Sequence, residues 1–142
     1  MKAISVRQPF AGFIADGDKK IEFRRWKTDY RGPLVIVASQ RRPLEWYTYL
    51  GGNLYETIGQ KGGEEVYEIL TGCALAIVDL ADIRPMTKAD AKSESEPFDA
   101  EAYSWILKKP QELIPFPVKG RLRLYEIPDD AVNAARVRRA RR

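Results

Sequence analysis

The 142-residue sequence has no histidine and only one cysteine. These two shortages remove a good deal of chemistry at once. A Ser-His-Asp triad, a Cys-His pair and a histidine-rich zinc site are all excluded. Any catalysis must therefore be carried by Lys, Glu, Asp, Tyr, Ser or Thr. Cys73 lies in the apolar run CALAIV and reads as a buried thiol in a reducing compartment. The chain also lacks an N-terminal apolar leader and any run of about 18 apolar residues, so we expect a soluble cytoplasmic protein with no membrane partner. Its nine prolines and ten glycines are scattered, which leaves no long disordered linker. No repeat is present either. With 44% apolar residues, a core can form without metal or disulfide staples.

The net charge of +4 is unevenly spread. The segment AVNAARVRRARR, 131–142, carries five arginines and no acid, while the rest of the chain sets 19 basic residues against 20 acidic ones, a net −1. We therefore expect one domain over 1–130 and a basic tail over 131–142. The tail is either the frayed end of a helix or an arm for a polyanion.

Residues 2–7, KAISVR, alternate as a short strand, and Pro9 opens a helix through PFAGFIADG that stops at Gly17. KKIEFRRW alternates again, and LVIVAS (34–39) is an apolar strand rich in Val and Ile. Pro43 starts a helix in PLEWYTYL (43–50), NLYETIGQKGG is irregular, and EEVYEIL (64–70) is helical as far as Gly72. CALAIVDLADI (73–83) is a long strand that ends by Pro85. The polar, acidic KADAKSESEPFDAEA (88–102) reads as a flexible loop. YSWIL (103–107) is a strand, and RLRLYEI forms another after a turn at Lys119-Gly120. The fold expected is α+β: a mixed, partly closed β-barrel of five to six strands, with helices inserted after the first and third.

One stretch stands out. GDKKIEFRRWKTDYRG, 17–32, holds nine charges in sixteen positions around Ile21, Phe23 and Trp26. Strand geometry turns Ile21 and Phe23 inward and sets Lys20, Glu22 and Arg24 on the opposite side, about 7 Å apart. Lys19 falls on the apolar parity, at the strand entry. The charged side is either a solvated face laced with ion pairs or a surface that meets a ligand. Phe10, Trp26, Tyr30, Trp46, Tyr47 and Tyr49 lie near basic residues, and each is either a core ring or a platform for a base. Arg41-Arg42 follow the LVIVAS strand and extend a basic rim.

SVRQPFAGFIADGDKKIEFRRWKTDYRGPLVIVAS (5–39) resembles the opening of ASCH domains, a branch of the PUA-like superfamily. GCALAIVDLADI is similar to their central strand, and KPQELIPFPVKGRLRLYEI to their closing segment. The resemblance spans about residues 3–40 and 72–127. It implies a PUA-like barrel that binds nucleic acid, RNA ahead of DNA, in a cleft between the barrel and its first helices. The candidate contacts are Gln8, Lys19, Lys20, Glu22, Arg24, Trp26, Arg31, Arg41 and Lys119, with no cofactor and no metal.

The resemblance also carries an alternative. One branch of the family removes the acyl group of N4-acetylcytidine, and another is described as a ribonuclease. A metal-free hydrolase would use Lys19 as base and Glu22 as proton shuttle. The deacylating branch has threonine where Glu22 stands here. It also uses a glutamate on the central strand, where this chain offers Asp79 and Asp82. A ribonuclease would need Tyr30 or Tyr47 beside Lys19. A third reading is a protein-interaction domain with an ion-paired surface.

Overall fold

A computed structural model describes residues 1–41, 55–61 and 64–137. The elements run β1 (Lys2–Val6), α1 (Phe10–Asp16), β2 (Ile21–Arg24), β3 (Gly32–Ala38), β4 (Tyr55–Lys61), β5 (Glu64–Ile69), β6 (Cys73–Pro85), α2 (Lys88–Ser93), β7 (Tyr103–Pro117), β8 (Leu124–Glu126) and α3 (Asp129–Ala134). Six strands form one sheet in the order β2-β7-β6-β3-β1-β8, and β4 and β5 form a separate hairpin. Only β1 and β3 run parallel; the other pairs of the large sheet are antiparallel. The sheet curls into a half-barrel, as the α+β expectation required. Three register shifts between β6 and β7 accompany the curl, because an extra residue on one strand bends the ladder.

β3 reads as a continuous apolar run because both of its faces are covered. Leu34, Ile36 and Ala38 pack with Ile4 and Val6 of β1 and with Ala11 and Ile14 of α1. Val35 and Val37 point the other way, to Ala3, Tyr125 and Val132 of α3. Cys73 is buried in the first of these layers, as its apolar context implied. α1 stops where Gly17 takes a φ of 84°, which lets its N–H reach the carbonyls of Phe13 and Ile14.

Four segments differ from the reading of the sequence. EEVYEIL is strand β5, paired with a β4 that was expected to be irregular. In the 88–102 region, Lys88–Ser93 is a helix, and the residues after it form a strap tied down by ion pairs. RLRLYEI supplies only the three-residue β8, with Leu122 exposed. The boundary expected at 130 falls inside α3, whose Val132 is fully buried and after which Ala135 accepts a hydrogen bond from the Ile114 N–H. Residues 43–50 and 138–142, with the helix and most of the arginines expected there, lie outside the described residues.

The strap is anchored at its root by Asp90. Thr87 and Asp90 form a capping box at the start of α2, each side chain accepting from the other's backbone N–H. The buried Asp90 carboxylate also accepts from Arg84 Nη2 at 2.6 Å and from Ser104 Oγ at 2.8 Å. Burial alone would push this carboxyl up, but the bonds from Ser104, Arg84 and Thr87 outweigh it and hold it below the usual carboxylate range. Its stabilising contribution is thus complete above that range and is lost as pH falls through the lowered value. Asp90→Asn should cost about 2–3 kcal/mol at neutral pH, since it weakens bonds to a charged acceptor. Thermal melts of variant and wild type should converge in acid. A difference that persists unchanged there would show that the carboxylate charge is not what matters.

Candidate functional site

The C-terminal ends of β1 and β3, the start of α1, β2 and the turn before β8 enclose a cleft of about 590 Å³. The parallel pairing of β1 with β3 accounts for half of it. Both strands end on the same edge, so Arg7 and Arg41, 34 positions apart in sequence, reach one rim. β2 contributes Arg24, and the turn contributes Arg121 and Arg123. Among the described residues, five arginines therefore line the cleft with one acid, Glu22.

Glu22 is already paired: Arg24 Nη2 donates to its Oε2 at 3.0 Å and to the Ser5 carbonyl at 2.7 Å. This leaves the guanidinium fixed in place across the cleft floor. Arg123 adopts a φ of 58°, uncommon for a side-chain-bearing residue, and its guanidinium stacks 5.2 Å from the Trp26 ring centroid. Gly120 permits the turn to come this close to β1. A Cβ there would sit 2.7 Å from Ser5 Oγ, which is hydrogen-bonded to the Tyr125 hydroxyl.

Phe10 and Phe23 supply the apolar wall. Between them stands Lys19, only 5% exposed. Its Nζ lies 5.3 Å from the Phe10 ring and 5.1 Å from the Phe23 ring, and donates to Glu96 Oε1 at 3.0 Å. Lys19 is therefore a strut behind the wall.

Of the residues singled out from sequence, Glu22, Arg24 and Arg41 line this cleft, and Trp26 reaches it through Arg123. Trp26 is half-buried and meets Trp105 edge-on, with centroids 4.7 Å apart, while its carbonyl accepts from Trp105 Nε1. Gln8 stands elsewhere. It is 1% exposed, its Nε2 donates to the Leu70 carbonyl, and its Oε1 accepts from the Gly12 N–H. Lys20 is exposed at the far end of β2, where its backbone N–H donates to Glu94. Arg31 donates to the carbonyls of Thr28 and Tyr30 and lies 3.8 Å from Asp82, so it fixes the β2–β3 connection. Lys119 is exposed next to Gly120, outside the lining. Trp46, Tyr47 and Tyr49 lie outside the described residues.

The charges of 17–32 meet, for the most part, other parts of the same chain. Lys19 pairs with Glu96, Arg25 with Asp99 and Glu101, and Arg24 with Glu22. The residues that sequence reasoning passed over are Arg7, Arg121 and Arg123. A signal for two of them was present, because 118–125, VKGRLRLY, holds three cations and no acid. Among the described residues, no group of three or more Cys, Asp or Glu is placed to hold a metal, and no helix is long and apolar enough to cross a membrane.

The ASCH domain family matches residues 4–117, and this chain belongs to it. It is 30% identical over 128 residues to human activating signal cointegrator 1, and 30% identical over 130 residues to the mouse protein of the same name. Both alignments cover 87% of this chain and 22% of the relative, so the chain spans about a fifth of the length of these curated proteins. The solved structure of ASCH from Zymomonas mobilis superposes with a TM-score of 0.55 at 13% identity, covering 93% of this chain and 90% of that one. That likeness concerns the fold.

Trp26→Ala should lower stability by about 2–4 kcal/mol, as truncation of a large packed ring does. A melting temperature unchanged from wild type would mean that the contact with Trp105 contributes no packing.

Proposed function

We propose that this domain binds single-stranded nucleic acid, RNA in preference to DNA, in the arginine cleft. The observation that carries the reading is the concentration, among the described residues, of five arginines and two phenylalanine faces around a single, already paired carboxylate. Arginine matches phosphate in a fixed fork geometry, and aromatic faces accept bases of any sequence. The cleft volume is that of a small-ligand pocket, which suits one or two extruded nucleotides. Ser39 and Gln40 on the same lining offer neutral hydrogen-bonding groups suited to a 2′-hydroxyl, the atom that distinguishes RNA from DNA. The family places its members among PUA-like, RNA-binding-like domains, which supports the same reading.

A hydrolytic role would have to be built on Lys19 and Glu22, and both are engaged by neighbours. Lys19 is held behind the wall by Glu96, and Glu22 accepts from Arg24 and from the Phe23 N–H. This arrangement favours binding over turnover. On this reading the affinity resides in the body of the domain, and the arginines past 137 add a non-selective contact.

The test is fluorescence anisotropy with labelled single-stranded RNA and DNA across a salt series. Replacing both Arg121 and Arg123 by alanine should weaken binding and reduce the slope of log K against log salt by about 1.4, at about 0.7 per phosphate contact. An unchanged slope and affinity would remove these arginines from the interface. Metal-free turnover of N4-acetylcytidine by the wild type would replace binding with hydrolysis as the function.

A further inference from the structure

We propose that the binding groove continues past the arginine cleft into a second lobe, which seats a base carrying an exocyclic amino group, so that the ligand spans both lobes. This rests on the nucleic-acid reading of the first lobe. The second cavity, about 630 Å³, opens between the end of β2 and the strap, and it shares Phe23 and Arg24 with the arginine cleft. The two cavities therefore meet at one divide. Arg24 stands there and, among the described residues, uses only Nη2 on protein acceptors, so that Nη1 and Nε can meet a phosphate joining two nucleotides.

The lining of the second lobe is mixed: Met86, Pro97, Ala102 and the Phe98 ring stand beside the charged Arg24, Arg25, Glu96 and Asp99. Phe98 is 44% exposed, with the Lys88 ammonium 6.0 Å from the ring centroid. An exposed ring beside a cation, on the lining of a recess, is a stacking platform with a phosphate neighbour. Against this wall lies Glu96. Its Oε1 accepts from Lys19, and its Oε2 has no hydrogen-bond partner among the described residues. Asp99, the other acid here, has Oδ2 on Arg25 and Oδ1 on the Glu101 N–H. The lobe thus offers one anionic acceptor and needs a donor. The amino groups of cytosine, adenine and guanine supply it. Uracil presents N3–H between two carbonyl oxygens, which face the carboxylate unfavourably.

Lys19 makes the two lobes one unit. The same ammonium that stands behind Phe10 and Phe23 of the first lobe orients Glu96 of the second.

The experiment compares short oligocytidine and oligouridine single strands by anisotropy, on wild type, Phe98→Ala, Glu96→Gln and the Arg121→Ala/Arg123→Ala double variant. Wild type should favour oligocytidine by about three- to tenfold, the net worth of one ordinary hydrogen bond on a carboxylate that Lys19 already shares. Glu96→Gln keeps an acceptor for Lys19 but offers an amide donor, and it should abolish or reverse that preference. Phe98→Ala, at an exposed position where folding is not at stake, should weaken both ligands about tenfold through lost stacking. Equal binding of the two ligands, unaltered by Phe98→Ala yet weakened by the arginine variant, would overturn the second lobe and leave the first. Absence of binding by the wild type would overturn both.

Discussion

Where α1, β2 and the strap meet, the chain has buried an ammonium. Withdrawing it from water costs several kcal/mol, and a partner of opposite charge with well-placed acceptors is required to offset that cost. Lys19 has both kinds of compensation: the carboxylate of Glu96, and the faces of Phe10 and Phe23. Because each comes from a different element, the interaction fixes their relative positions more sharply than apolar contact would. Cleft wall, strand and strap are held in one arrangement by one group.

The folding and binding parts of the molecule draw on different residues. The sheet is stabilised by β-branched and aliphatic side chains on two faces, with α1 against one and α3 against the other. The arginines of the cleft stand beyond the ends of β1 and β3 and in the turn before β8, with Arg24 at the end of β2. Like charges crowd there without disturbing the core: Arg41, Arg121 and Arg123 are exposed, Arg24 is paired with Glu22, and Arg123 stacks on Trp26.

The sequence showed much of this fold through its apolar spacing. β1, α1, β2, β3 and β6 follow from Val and Ile content, from Pro9 and from Gly17. β5 was misread because Val66, Ile69 and Leu70 satisfy a helical spacing as well as any short strand does. The Gly62-Gly63 pair between two six- or seven-residue runs was the better guide, being a hairpin signal. The strap was misread for a different reason. Acidic composition suggests solvation, yet Glu94, Glu96 and Asp99 find their donors on Lys20, Lys19 and Arg25, which flank β2 more than 70 positions earlier. Composition carries no information on such distant partners. The Thr87-Asp90 spacing, passed over in that reading, is the helix-start signal that the structure uses. Lys19 is the instructive residue at the site. Strict alternation places it with Ile21 and Phe23, and the structure buries it with them. Gln8 was judged by its polarity, whereas its amide completes the backbone hydrogen bonding of α1 and Leu70.

A cleft whose positive charge resides in guanidinium groups, in a chain with no histidine, lacks the side chain that usually serves as a switch at physiological pH. Such a surface is deaf to the acidity of its surroundings but answers to ionic strength, because counterions screen it and compete for it. Where histidine-bearing interfaces sense compartment pH, this one would report on salt and on competing polyanions.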